Sequence, residues 1–184
     1  MRQIFYAIFL TDVVGLDPRL ASVAVLVGII WDAINDPLVG ILTDRMRSRW
    51  GRRRPFLLFF AIPFGASFIL LWWAPPWHNQ IALTATITLA FMISHTFETL
   101  VSVPFASLLP ELSPDYDERT NLTSFRIFFN LLASLVTAVA APAIVDAVKS
   151  AGMTQQHGYL MVVAIFGGLA SIPFLLLFAV VRDR

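Results

Sequence analysis

Apolar residues along this chain come in long blocks, broken by short polar stretches. The clear blocks are Leu20–Leu42, Pro55–Trp73, Ile81–Leu109, Asn121–Val148 and Gly158–Val181. At 1.5 Å rise per residue, a block of about twenty residues crosses a hydrocarbon core roughly 30 Å thick. A further block over residues 4–16 is only about half a span long. Pro104 and Pro142 fall inside blocks, but in a membrane bundle neighbouring helices can satisfy the backbone groups that proline frees. The pattern predicts an all-α membrane protein with six transmembrane helices. The first is truncated, and residues 1–184 form one six-helix bundle.

Composition sharpens this. The chain is 58% hydrophobic and 14% charged, a balance that soluble domains rarely reach. It has no cysteine, which removes disulfides and thiolate chemistry. The N-terminal stretch lacks a small-residue cleavage site, so it does not read as a cleaved signal peptide. The net charge of +1 hides an asymmetry between loops. TDRMRSRWGRRR holds Arg45, Arg47, Arg49, Arg52, Arg53 and Arg54, whereas APPWHNQ holds no Arg or Lys. Arg119 lies in PELSPDYDERT, and Arg182 and Arg184 lie in the tail. Alternation places these three regions together on the cytoplasmic side, with Arg19 and Lys149 outside. That predicts a multi-pass cell-membrane protein, as in a bacterial inner membrane. Trp72, Trp73 and Trp77 fall at the outer end of span three, where interfacial aromatics sit. A basic loop tied down by two spans offers no groove-reading element, so nucleic acid is not an expected partner.

The chemistry lies in the polar residues inside the spans. WDAINDP, residues 31–37, places Asp32, Asn35 and Asp36 at i, i+3 and i+4, on one helix face. An aspartate at the bilayer centre costs about 2.5–3.5 kcal/mol on insertion scales, and two carboxylates one turn apart repel each other. They persist by sharing a proton, by pairing with a cation or by facing water. Pro37 lacks an N–H, so the Ala33 carbonyl loses its helical partner. Two carboxylates, an amide oxygen and a carbonyl make a cluster of hard oxygens suited to Na⁺, with a proton as substitute. The competing reading is an aspartate pair satisfied by Arg or Ser from a neighbouring helix, with no ion.

Span four carries His95, Glu98, Thr99 and Ser102, and span five carries Arg126, Asn130, Ser134 and Thr137, each set at helical spacing. Thr99 can add a hydroxyl to an ion site. Taken alone, His95 reads as a packing histidine. Glu98 is a proton carrier or a partner for a cation. Arg126 needs either an acid such as Glu98 or a ligand hydroxyl or anion. Three polar faces converging inward describe a pathway near the midplane. The chain has no HExxH, no nucleophile–base pattern and no phosphate-binding glycine loop, so neither an enzyme nor an organic cofactor is expected. Asn121-Leu-Thr123 matches a glycosylation sequon but falls on the cytoplasmic side.

The blocks TDVVGL (11–16), WDAINDPLVG (31–40), RSRWGRRRPF (47–56), TLVSVPFASLLP (99–110) and DYDERTNLTSFR (115–126) resemble the glycoside–pentoside–hexuronide:cation symporters of the major facilitator superfamily. The resemblance implies the N-terminal half of a twelve-helix, alternating-access transporter that takes up sugar with Na⁺, Li⁺ or H⁺. It places Asp32, Asn35, Asp36 and Thr99 on cation-binding positions, with Asp32 and Asp36 the carboxylates that take Na⁺ or H⁺. It places Arg126 on a sugar-binding position, bordered by Asn130, Ser102 and Glu98. Gly40, Asp44, Arg45, Gly51, Arg52 and Arg53 resemble the superfamily's cytoplasmic latch between helix ends. Implied partners are a small sugar, membrane lipids, and a missing C-terminal half or a second copy of the chain. Some positions depart from the family's sugar-gripping pattern. Ser102 stands where a sugar-binding aspartate is found, Ala106 where a sugar-stacking tryptophan is found, and Glu98 where no acid is found. The DYDERT loop also looks like that of lipid-carrying relatives, so a carrier of lipid or another amphiphile remains an alternative. So does a six-helix membrane protein with no transport role.

Overall fold

The computed structural model describes residues 6, 9–49, 51, 53–73, 75–112 and 115–180, all helix, turn or coil. Six elements follow one another. The first, α1, is a single π-helical turn, Phe9–Val13; the others are α2 (Pro18–Arg45), α3 (Arg54–Leu71), α4 (Gln80–Leu112), α5 (Tyr116–Ser150) and α6 (Gln155–Val180). The last five are long and apolar enough to cross a membrane. All five start before the expected spans, by up to five residues at α5, because the sequence blocks stop where polar residues begin while the helices run on to their caps; α3 instead ends two residues early, at Leu71. Asp17 accepts from the Arg19 N–H at 2.8 Å, with Pro18 opening α2. Asn79 accepts from Ile81 at 2.9 Å to open α4, and Asp115 accepts from Asp117 at 3.3 Å to open α5. These are helix starts in which a side chain satisfies an orphan backbone donor. The expected first span survives among the described residues only as Tyr6 and the turn of α1; much of residues 4–16 before Phe9 lies outside them.

α2 packs on α4, α4 on α3, α3 on α6 and α6 on α5, while α5 touches α4 only slightly. A close approach occurs at Gly65 of α3 and Gly167 of α6, where the absent side chains bring backbones together, as small residues do in membrane helix pairs. There Ser171 donates to the Ala61 carbonyl at 2.8 Å and to Gly167 at 3.1 Å. One core cluster is aromatic: Phe9 lies 5.0 Å from Trp72, Trp72 stacks on Tyr159 at 5.3 Å, and Tyr6 reaches Phe91 at 5.4 Å. Trp72 is therefore a core residue and not the interfacial anchor expected of it, whereas Trp73 and Trp77 are exposed. Ile29, Ile30, Ile34, Leu38 and Ile41 of α2 face outward. So large an exposed apolar surface is a lipid-facing one.

Candidate cation and substrate site

α2 and α4 run parallel in a constant register. An offset of 63 residues pairs Asp17 with Gln80, Asp32 with His95 and Asp36 with Thr99. The same offset sets Gly28 against Phe91, whose ring leaves no room for a Cβ on Gly28. Gly28, Asp32 and Asp36 are four residues apart, so they form one row on α2; Phe91, His95 and Thr99 form the matching row on α4. The row holds three rungs: a ring lying on a glycine, then two side-chain hydrogen bonds.

Thr99 is buried and donates its hydroxyl to Asp36 Oδ1 at 3.0 Å. His95 is buried and lies 3.0 Å from Asp32 Oδ1 through Nδ1. With Asp32 ionised the carboxylate only accepts, and Nδ1 is then the nitrogen that carries the hydrogen. The His95 ring also stacks on Phe91, with centroids 4.3 Å apart. Beside this row Trp31 donates Nε1–H to the Thr96 hydroxyl at 3.0 Å. Asn35 is buried, and its Nδ2 finds no partner. A half-turn of the amide exchanges nitrogen for oxygen, so the same spot can present an acceptor. Asp32 keeps 40% of its side chain exposed, and Asp36 is exposed. With Thr99 and the carbonyl freed by Pro37, the set is one of oxygen donors around two carboxylates. Among the described residues no group of three or more His, Asp or Glu is placed to hold a metal. A set of oxygens with only two charges suits a monovalent hard cation better than a transition metal.

The four expected residues on α4 share one helix face, and two of them meet α2. His95 and Thr99 point at α2, while Glu98 is half-buried and Ser102 is exposed on the neighbouring row. Arg126 and Asn130 are exposed on α5. Of the three polar faces expected to converge, the structure brings α2 and α4 together and leaves that of α5 apart. Thr137 instead joins Phe68, Phe129, Val136, Tyr159 and Val163 around an apolar cavity of about 660 Å³ between α3, α5 and α6. His95, weighed in the sequence as packing, does pack, and it also holds a carboxylate. The 63-residue offset between two acids on one span and two donors on another was the signal for it.

On the basic loop, Arg53 reaches Asp44 at 3.5 Å and the Ser107 carbonyl of α4. It thus ties the end of α2, the start of α3 and the C-terminal part of α4. Gly51 takes φ 95, a conformation that L side chains rarely adopt, and so lets the chain turn into α3. Arg54 bonds the Phe178 carbonyl and lies 4.8 Å over the Phe178 ring. Gly40 faces open space, Arg45 is exposed in the last turn of α2, and Arg52 lies outside the described residues.

The MFS/sugar transport protein family matches the chain over residues 1–184. The chain belongs to that family, as its resemblance to the glycoside–pentoside–hexuronide:cation symporters implied, and is a multi-pass cell-membrane protein. It is 40% identical over 142 residues to a symporter of Synechocystis sp. (strain ATCC 27184 / PCC 6803 / Kazusa), covering 74% of this chain and 26% of that protein. It is 30% identical over 177 residues to the isoprimeverose transporter of Lactiplantibacillus pentosus, covering 96% of this chain and 36% of the transporter. It is 34% identical over 133 residues to the sodium-dependent lysophosphatidylcholine symporter 1-A of Danio rerio, covering 72% of this chain and 25% of that protein. The chain thus spans between about a quarter and just over a third of these relatives' length. All three are named as transporters and none as an enzyme.

Proposed function

We propose that this chain supplies the cation-binding half of a symporter that couples a monovalent cation, Na⁺ or H⁺, to uptake of a glycoside. In this reading residues 1–184 act as one six-helix unit that works against a second half or a second copy. The observation that carries it is the row on α2. Asp32 and Asp36 each use one oxygen on a donor from α4, and the buried Asn35, whose amide nitrogen has no partner, stands between them in the sequence. A cation seated there relieves the repulsion between the carboxylates, and the second oxygen of each, Asn35, Thr99 and the Ala33 carbonyl are its ligands. Arg126, Asn130, Glu98 and Ser102 border the substrate: a guanidinium and an amide suit sugar hydroxyls, and their exposure is what a wall facing a cavity requires. Ion and substrate then tighten each other by the same factor, and rocking of the two halves carries both across. Gly40, Asp44, Arg45, Gly51, Arg52 and Arg53 form the latch on the cytoplasmic face.

The test is a Na⁺ titration of the chain in lipid nanodiscs, with choline as ionic-strength control and Trp31 emission as readout. Trp31 is adjacent to Asp32, and Trp31→Phe identifies its share of the signal. A saturable response that Asp36→Asn abolishes supports the assignment; a response unchanged by Asp36→Asn sinks it. A second reading, a carrier of lysophospholipid, has its own support in the large apolar cavity between α3, α5 and α6 and in the zebrafish relative. Competition between a p-nitrophenyl glycoside and lysophosphatidylcholine for the Na⁺-loaded protein separates the two.

A further inference from the structure

We infer that His95 is a positioning residue that sets which cation the site prefers. The inference rests on the cation-site reading above. His95 occupies the middle rung of the α2–α4 row, and three contacts determine where its ring lies. Gly28 has no side chain, and the space this leaves is filled by Phe91, whose ring carbon would lie 2.0 Å from a Cβ added there. On another side Phe91 packs against Tyr6, with ring centroids 5.4 Å apart. The His95 ring stacks on the face of Phe91 at 4.3 Å, and its Nδ1 then meets Asp32 Oδ1 at 3.0 Å. A glycine, a phenyl ring and an imidazole thus hold one oxygen of one carboxylate.

Asp32 would otherwise be free to turn, since 40% of its side chain is exposed. With Oδ1 engaged by His95, the carboxylate is held in one orientation, and Oδ2 is the oxygen left fully open to an ion. Asp36 is restrained in the same way by Thr99. Selectivity among hard cations depends on how far the oxygen ligands can close around the ion. Two carboxylates pinned to the same neighbouring helix resist closing and so favour a larger ion over a smaller one. A group bonded behind a metal ligand typically changes affinity by about 10–100-fold when removed.

The experiment compares His95→Ala, His95→Asn and His95→Gln with the wild-type chain in nanodiscs, titrated with Na⁺ and Li⁺ by calorimetry and by Trp31 emission. An asparagine amide can place an N–H near the position of Nδ1, whereas the longer glutamine carries its amide past it. His95→Ala is expected to weaken Na⁺ binding about 10-fold while leaving Li⁺ affected less, so that the Na⁺/Li⁺ preference falls by about 3-fold or more. His95→Asn is expected to keep both affinities within about 3-fold of wild type, and His95→Gln to behave like His95→Ala. In the wild type, the ¹⁵N-histidine spectrum should show a Nδ1–H resonance that shifts on adding Na⁺. An unchanged Na⁺/Li⁺ ratio in His95→Ala overturns the inference while leaving the cation site standing. Equal losses in His95→Ala and His95→Asn, with both proteins folded, also overturn it, since packing and not the Nδ1 bond would then be at work. Wild-type protein that responds to neither ion removes the cation site and this inference together.

Discussion

Adding one methyl group at Gly65 tests how the bundle holds α3 against α6. A Cβ at this position would lie 2.4 Å from Ser171 Oγ and 3.0 Å from the Gly167 carbonyl oxygen. The hydroxyl is about 1 Å short of an ordinary contact distance. It cannot simply rotate away, because it donates to Ala61 at 2.8 Å across the helix pair. Rotating it keeps the bond to Gly167 on its own helix and loses the one to Ala61, which costs about 1 kcal/mol in a membrane protein. The carbonyl contact is with backbone, so the helices must also separate slightly, and overpacking of this kind costs about 1–3 kcal/mol. Gly65→Ala is therefore expected to destabilise the chain by about 2–4 kcal/mol. The assay is reversible unfolding of the micellar protein by SDS, followed by helical circular dichroism and tryptophan emission together. Gly168→Ala is the control, since nothing lies within 4 Å of its Cβ. It should be neutral, or stabilising by up to about 1 kcal/mol through helix propensity. Ser171→Ala should cost less in the Gly65→Ala background than alone, because the clashing hydroxyl is then gone. A Gly65→Ala protein within about 0.5 kcal/mol of wild type, the range of a change that touches nothing, would refute the close-packed α3–α6 seam.

Other perturbations probe the remaining seams. Thr99→Val keeps the shape but removes the donor to Asp36; Na⁺ affinity in the nanodisc titration should fall about 10-fold, with Thr99→Ser restoring most of it. Arg53 spans Asp44 and the Ser107 carbonyl, which a point-charge ammonium cannot fork across. Arg53→Lys should therefore raise the rate of tryptic cleavage in the 45–54 loop nearly as much as Arg53→Ala, and a wild-type rate in Arg53→Lys would show that the fork is irrelevant. Gly28→Ala drives a methyl into the Phe91 ring and should destabilise by about 1–3 kcal/mol in the SDS assay; Phe91→Leu in the same chain should recover part of the loss, and no recovery would place the strain elsewhere.

The spans were legible because lipid imposes one rule on every residue of a crossing segment: satisfy the backbone internally and present carbon outward. WDAINDP was legible for the converse reason, since acids inside such a segment violate that rule and demand partners. Helix packing was not legible from hydropathy. Arg126 and Asn130 share a polar stripe as regular as that of α4, yet α5 leans on α6, and its stripe stays apart from the aspartates. Trp72 illustrates the same limit: a tryptophan at a span end fits an interface or a core equally well, and contact with Phe9 and Tyr159 decided for the core. His95 was under-read because its acid partner stands on another helix, 63 residues away.

The constant offset between α2 and α4 has a consequence for how such a chain can change over evolutionary time. Inserting one residue between Asp32 and Asp36, or between His95 and Thr99, turns everything beyond it by about 100°. The rungs on one side of the insertion would then face away from their partners, and no local repair brings them back. Substitutions meet no such barrier: a rung can trade its ion, its donor or its charge while the spacing stays untouched. Lineages descending from this chain are thus free to explore new cargoes and new driving ions by point changes, while the distance between the two acids is closed to insertion and deletion.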